Sequence, residues 1–138
     1  EKLFEMDVIP VINENDCVAV EEIVFGDNDS LSAHVAKIVD ADLLVILTDI
    51  DGLFSANPRE DENAVLIHCV EEINDDILAL AGGTGTSRGT GGMITKLHAA
   101  QIATEAGIDT VVMNGSDPEE LYKLLDGRQI GTLFKAQR

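Results

Sequence analysis

Between Thr84 and Lys96 the chain reads Thr-Gly-Thr-Ser-Arg-Gly-Thr-Gly-Gly-Met-Ile-Thr-Lys and then enters a helical pattern over residues 97–106. Glycines at 89, 91 and 92 let main-chain N–H groups come close to an anion. The helix behind them adds unsatisfied N–H groups and a positive dipole end. Lys96 falls in or just inside the first turn, where its ammonium can meet phosphate oxygens as a point charge. The spacing is not that of the common P-loop, because Leu97 stands where Ser or Thr would follow the lysine. Nor is it a dinucleotide fingerprint, because residues 75–81 before it read as helix. The pattern therefore predicts a phosphate loop of another design, against the alternative of a mobile surface loop rich in Gly and Thr.

Two other polar clusters could carry chemistry. Asn13-Glu14-Asn15-Asp16 ends an apolar run at 8–12, and Gly26-Asp27-Asn28-Asp29-Ser30 precedes a helical pattern at 31–39. Asp29 or Ser30 can cap that helix. Three consecutive polar groups, Asp27, Asn28 and Asp29, exceed what a turn and one cap require. A third candidate, Thr48-Asp49, closes the Leu-Leu-Val-Ile-Leu run at 43–47.

The elements that must position these groups alternate. The runs at 8–12, 43–47, 64–70 and 110–113 read as strands, 18–25 as a strand or hairpin arm, and 132–134 as a final edge strand. The run at 43–47 has the continuous apolar character of a strand buried on both faces. Helices are expected at 31–39, from an Asn74 cap to Ala81, through Lys96, and from Asp117-Pro118 to about Asp126-Gly127. Residues 57–63 are a polar loop. This alternation predicts an α/β fold, an open, mainly parallel sheet with helices on both faces and polar clusters at the carboxyl ends of its strands. No internal repeat or linker marks a domain boundary, so a single domain is expected.

Composition narrows the function. At 138 residues, 45% of them apolar, the chain can bury a core. It contains no apolar run long enough for a membrane span and no signal peptide, which predicts a cytoplasmic protein with no membrane partner. A net charge of −17 with only nine Lys and Arg argues against a nucleic-acid partner. Cys17 and Cys69 are expected as buried reduced thiols, and His34, His68 and His98 as scattered surface or packing residues, so no protein metal centre is expected. The chain opens Glu-Lys-Leu-Phe-Glu-Met in what reads as the last turn of a helix, which suggests a fragment whose beginning is missing.

The segments Pro10-Val11-Ile12-Asn13-Glu14-Asn15-Asp16, Phe25-Gly26-Asp27-Asn28-Asp29, Leu47-Thr48-Asp49, Gly52-Leu53 and Gly89-Thr90-Gly91-Gly92-Met93-Ile94-Thr95-Lys96 occur in that order. Together they resemble the glutamate 5-kinase branch of the amino acid kinase family across nearly the whole chain. The resemblance implies an incomplete αβα sandwich and transfer of the γ-phosphoryl of Mg-ATP to the side-chain carboxylate of L-glutamate, the first step of proline synthesis, with proline as feedback inhibitor. It implies glutamate binding by Asp16 and Asn28, with Asn13 and Asp27 beside them. ATP would be held by Thr48, Asp49, Thr90, Gly91, Gly92, Met93, Ile94, Thr95 and Lys96, with Mg²⁺ accompanying it. Lys96 and Asp29 would be catalytic, Asp29 orienting lysines or holding Mg²⁺ through water. The family's amino-terminal half, with a second lysine, a glycine-rich loop and a serine and glycine for glutamate, does not match any part of this chain, nor does the carboxyl-terminal accessory domain of many members. That implies the nucleotide-binding half of the kinase domain, inactive alone and inclined to self-associate. The alternatives are another amino acid kinase, acting on N-acetylglutamate, aspartate or UMP, and a noncatalytic nucleotide-sensing module.

Overall fold

The computed structural model describes residues 2–13, 28–82 and 92–137. A short helix α1 (Lys2–Glu5) is followed by α2 (Asn28–Val39), β1 (Leu43–Thr48), β2 (Cys69–Val70), α3 (Asp75–Ala81), α4 (Met93–Glu105), β3 (Asp109–Asn114), α5 (Glu120–Leu125) and β4 (Thr132–Phe134). The described strands form one sheet in the order β1-β3-β4-β2. β1 runs parallel to β3 and β2 parallel to β4, while β3 and β4 are antiparallel. The expected α/β class is observed, and the open sheet is mixed, two parallel pairs meeting at the antiparallel β3–β4 contact.

Two helix–strand units set the geometry. α2 ends where Asp40 takes a left-handed conformation (φ 55°), with Ala41 N donating to Ala36 O at 3.0 Å and Asp40 N to Lys37 O at 3.4 Å. α4 ends in the same way at Gly107 (φ 85°), through Ile108 N to Ala103 O and Gly107 N to Thr104 O, both 3.0 Å. This double bond pattern satisfies the last carbonyls and reverses the chain. Each helix is thus returned at once along its strand, α2 along β1 and α4 along β3. The helix N-termini consequently lie at the carboxyl ends of the strands.

The two units pack through small residues. Ala33 and Ala36 are the buried residues of α2, and α4 buries Ala99, Ala100 and Ala103 with Leu97. Alanine faces let helix axes approach to the lower end of the usual range, about 8 Å. Leu44, Ile46, Leu53, Val70, Ile73, Ile108, Val112 and Phe134 add to the core.

Several expectations are corrected. Residues 8–12 do not form a strand: Ile9 and Val11 are 87% and 94% exposed, Pro10 lacks a ladder donor, and the run pairs with no described strand. The run at 64–70 reduces to β2. Its earlier part bends back on residues 53–55 through Ser55 N to Val65 O (2.9 Å) and Ile67 N to Leu53 O (2.8 Å). β4 is not an edge strand but lies between β3 and β2, with Thr132 and Phe134 fully buried. β1 is buried mainly on one face, since Leu47 is 48% exposed. Cys69 is an exposed free thiol, because a two-residue strand points it away from the core. α2 starts earlier than residue 31, so Asp29 sits inside its first turn rather than capping it. The strand expected at 18–25 and Cys17 lie outside the described residues.

Other expectations hold. Asn74 caps α3 by accepting from Ile77 N at 3.0 Å. Asp117 accepts from Glu119 N at 3.0 Å, but the helix expected from Asp117-Pro118 begins later, α5 starting at Glu120 with Glu119 as its N-cap and residues 117–119 forming the turn that leads into it. Residues 57–63 are exposed, as are His34, His68 and His98. Among the described residues no helix is long and apolar enough to cross a membrane.

Candidate functional site

Asp29 and Lys96 lie 67 residues apart in the chain and meet because the N-termini of α2 and α4 converge. Lys96 Nζ is 3.0 Å from Asp29 Oδ2, with the side chains 11% and 18% exposed. Thr95 Oγ1 is 2.9 Å from the same oxygen and 2.8 Å from the Gly92 carbonyl. Gly92 is the N-cap of α4 and offers no side-chain cap. The first N–H groups of α4 thus receive no side-chain cap from Gly92, and such a helix start favours an anionic acceptor. An ammonium, two positive dipole ends and one carboxylate that offsets part of them make a site for an anion such as a polyphosphate.

At the same end of the sheet, Thr48 closes β1 with Asp49 directly after it, and Asn114 closes β3. Thr48 Oγ1 donates to Asp49 Oδ1 at 3.2 Å, Gly115 N donates to Thr48 O at 2.9 Å, and Asn114 Nδ2 donates to Asp51 Oδ1 at 3.0 Å. These bonds tie the ends of β1 and β3 together. Gly115 is required for the closeness, since a Cβ there would lie 2.9 Å from Leu47 Cβ.

The structure thus places the sequence candidates unequally. Asp29, Thr95 and Lys96 are in direct contact, with Gly92 beside them. Ile94 and the partly buried Met93 share the first turn of α4 and help seat it, Met93 against the core. Thr48 and Asp49 share the sheet end. Asn28 opens α2 next to Asp29, exposed, and Asn13 is exposed at the end of the preceding described segment. Asp16, Asp27, Thr90 and Gly91 lie outside the described residues. Sequence reasoning missed Asp51 and Asn114, whose cross-strand bond only the pairing of β1 with β3 reveals. An open cleft of about 340 Å³ beside that bond is lined by Asp51, Leu66, His68, Asn114, Ser116, Asp117, Glu120, Gln129, Ile130 and Gly131. None of the predicted residues lines it.

Among the described residues no group of three or more His, Cys, Asp and Glu is placed to hold a metal ion. Among the described residues the carboxylate in contact with Lys96 is that of Asp29, and its Oδ2 is already engaged. Such a donor set suits Mg²⁺ carried by nucleotide phosphates and water, not a dedicated protein cage.

Comparison with known proteins places this geometry in a family. The amino acid kinase family matches residues 1–114. The glutamate 5-kinase of Clostridium acetobutylicum is 53% identical over 132 residues, covering 96% of this chain and 49% of that protein. That of Deinococcus radiodurans is 58% identical over 129 residues, covering 94% and 36%. This chain spans about half the length of the first of these relatives. Among solved structures, the UMP kinase of Bacillus anthracis superposes with a TM-score of 0.60 at 17% identity, over 83% of this chain and 42% of that one. The uridylate kinase of Archaeoglobus fulgidus gives 0.55 at 23% identity, over 77% and 45%. These structural likenesses carry the fold, and with the family match over residues 1–114 they show that the chain belongs to the amino acid kinase family.

Proposed function

We propose that this chain is the nucleotide-binding half of an enzyme that transfers the γ-phosphoryl of Mg-ATP to the side-chain carboxylate of L-glutamate, giving L-glutamyl 5-phosphate for proline synthesis. The observation that carries the reading is the Lys96–Asp29 pair at the converging N-termini of α2 and α4. The names of relatives 53–58% identical to it supply the acceptor. A carboxylate nucleophile is already ionised near neutral pH, so no general base is needed, and catalysis reduces to alignment and charge neutralisation. Lys96 neutralises charge on the transferring group, the first turn of α4 cradles phosphate oxygens, and Asp29 keeps the ammonium in place. Thr48 and Asp49 bound the nucleotide from the sheet side. Asp16 accepts from the substrate ammonium, and Asn28 donates to a substrate carboxylate without adding repulsion, with Asn13 and Asp27 beside them.

On this reading the remainder of the kinase domain, and any accessory domain, lie in polypeptide outside these 138 residues. The complete enzyme is a cytoplasmic homo-oligomer inhibited by proline, with no nucleic-acid or membrane partner. The test is ADP release by the intact gene product with Mg-ATP and, in parallel, glutamate, N-acetylglutamate, aspartate and UMP. Turnover with glutamate alone is expected. Turnover with another acceptor would retain the phosphate site and discard the roles of Asp16 and Asn28. A folded protein that binds ATP but releases no ADP with any acceptor would instead be a sensing module. The 138-residue chain by itself is expected to bind nucleotide weakly and to show no glutamate-dependent ADP release.

A further inference from the structure

Thr95 carries one hydroxyl proton, and two acceptors stand within reach of it: Asp29 Oδ2 at 2.9 Å and the Gly92 carbonyl at 2.8 Å. Both belong to the machinery around Lys96. Asp29 Oδ2 is the oxygen that holds the Lys96 ammonium at 3.0 Å, and Gly92 is the residue from which α4 starts. Thr95 and Lys96 are consecutive on α4, whereas Asp29 comes from α2, so the hydroxyl and the ammonium grip one oxygen from the same helical turn. A carboxylate held by a single flexible lysine can swing about its side-chain torsions. A second donor on the short, β-branched side chain of threonine, which has few rotamers in a helix, removes that freedom.

We infer that Thr95 is a positioning residue, whose hydroxyl fixes the Asp29 carboxylate and through it the Lys96 ammonium, rather than a residue that touches the nucleotide. This changes the role that its place in the phosphate loop suggests. The methyl group of threonine is dispensable for that role and the hydroxyl is not, so serine should substitute and the isosteric valine should not. Because Lys96 acts on the transferring group, a displaced ammonium affects the chemical step more than ground-state binding of ATP.

The experiment uses the full gene product and compares Thr95→Val, Thr95→Ser, Asp29→Asn and the Thr95→Val/Asp29→Asn double variant. Its kinetic arm rests on the glutamate reading above; its melting arm does not. Thr95→Val is expected to lower kcat for glutamate-dependent ADP release roughly 10- to 100-fold, as a misplaced catalytic group does. Its KM for ATP and its Kd for Mg-ATP should stay within about twofold of the parent, while Thr95→Ser recovers kcat to within about threefold. A raised Kd for Mg-ATP at unchanged kcat would make Thr95 a nucleotide contact and overturn the inference. So would a serine variant as impaired as the valine one. If the parent shows no glutamate-dependent turnover, the proposed activity falls while the melting cycle still decides the role of Thr95. The loss of Tm caused by Thr95→Val should then be smaller in the Asp29→Asn background, where a neutral amide oxygen is a weaker acceptor for the hydroxyl than the carboxylate, and strictly additive losses would refute the coupling.

Discussion

Lys96 carries its charge where two helix N-termini already concentrate positive potential, and Asp29 is what offsets it. The two partners are therefore not equivalent. Removing the carboxylate leaves a nearly buried ammonium facing two dipole ends, whereas removing the ammonium leaves Asp29 with the Thr95 hydroxyl and a favourable place in the first turn of α2. Asp29→Asn should thus destabilise by about 2 kcal/mol, and Lys96→Met by clearly less. Urea midpoints of the two variants check the order, and the reverse order would show that the dipoles are not felt at this site. A second residue-scale expectation concerns Thr110, whose hydroxyl is fully buried and has no hydrogen-bond partner among the described residues. Thr110→Val keeps the shape and removes the desolvated group, so it should stabilise by about 1 kcal/mol, read as a rise in Tm. At this scale the sequence made Lys96 legible, because its offset from Gly92 within one helix is local. The partnership with Asp29 is not written in spacing, because the contact spans 67 residues, and only the family resemblance, in which Asp29 orients lysines, pointed to it.

Elements were legible where a local signal settles them, as with the Asn74 cap, the continuous run of β3 and the turn started by Asp117. They were misread where partners decide. An apolar run such as 8–12 becomes a strand only if a neighbour supplies a ladder, and a strand's place in a sheet is not written in its own residues, which is why β4 reads as an edge from sequence and sits inside in the structure. Two tests belong to this scale. Asp40 occupies a left-handed conformation that costs an L-residue about 1 kcal/mol relative to glycine, so Asp40→Gly should raise Tm although it deletes a side chain. In the α2–α4 contact, Ala33→Leu should cost roughly 1–3 kcal/mol by overpacking. Because it separates the helix ends that bring Asp29 to Lys96, it should also weaken Mg-ATP binding, measurable by calorimetry.

For the molecule as a whole, a net charge of −17 spread over 138 residues sets the folded state against its own repulsion. Raising NaCl from about 0.05 to 0.5 M shortens the screening length severalfold and should raise Tm. The exposed Lys135–Glu71 pair, which holds the Glu71 carboxyl below its usual range chiefly through the Lys135 hydrogen bond, runs against that trend. Its contribution is present above the ordinary glutamate range and fades as pH falls through the lowered value. Leu3, Phe4, Met6, Ile9 and Val11 are all exposed within one short stretch of chain.

The inward position of β4 bears on how the protein is made. β2 pairs with no described strand except β4, and β4 comes from residues 132–134, so a growing chain holds β1 and the α2 unit long before β2 has anything to join. Ribosome-borne chains halted before residue 132 should keep the 53–70 region open to protease, and emergence of residues 132–134 should close it in a single step. Residues 132–134 would then act as the keystone of the sheet.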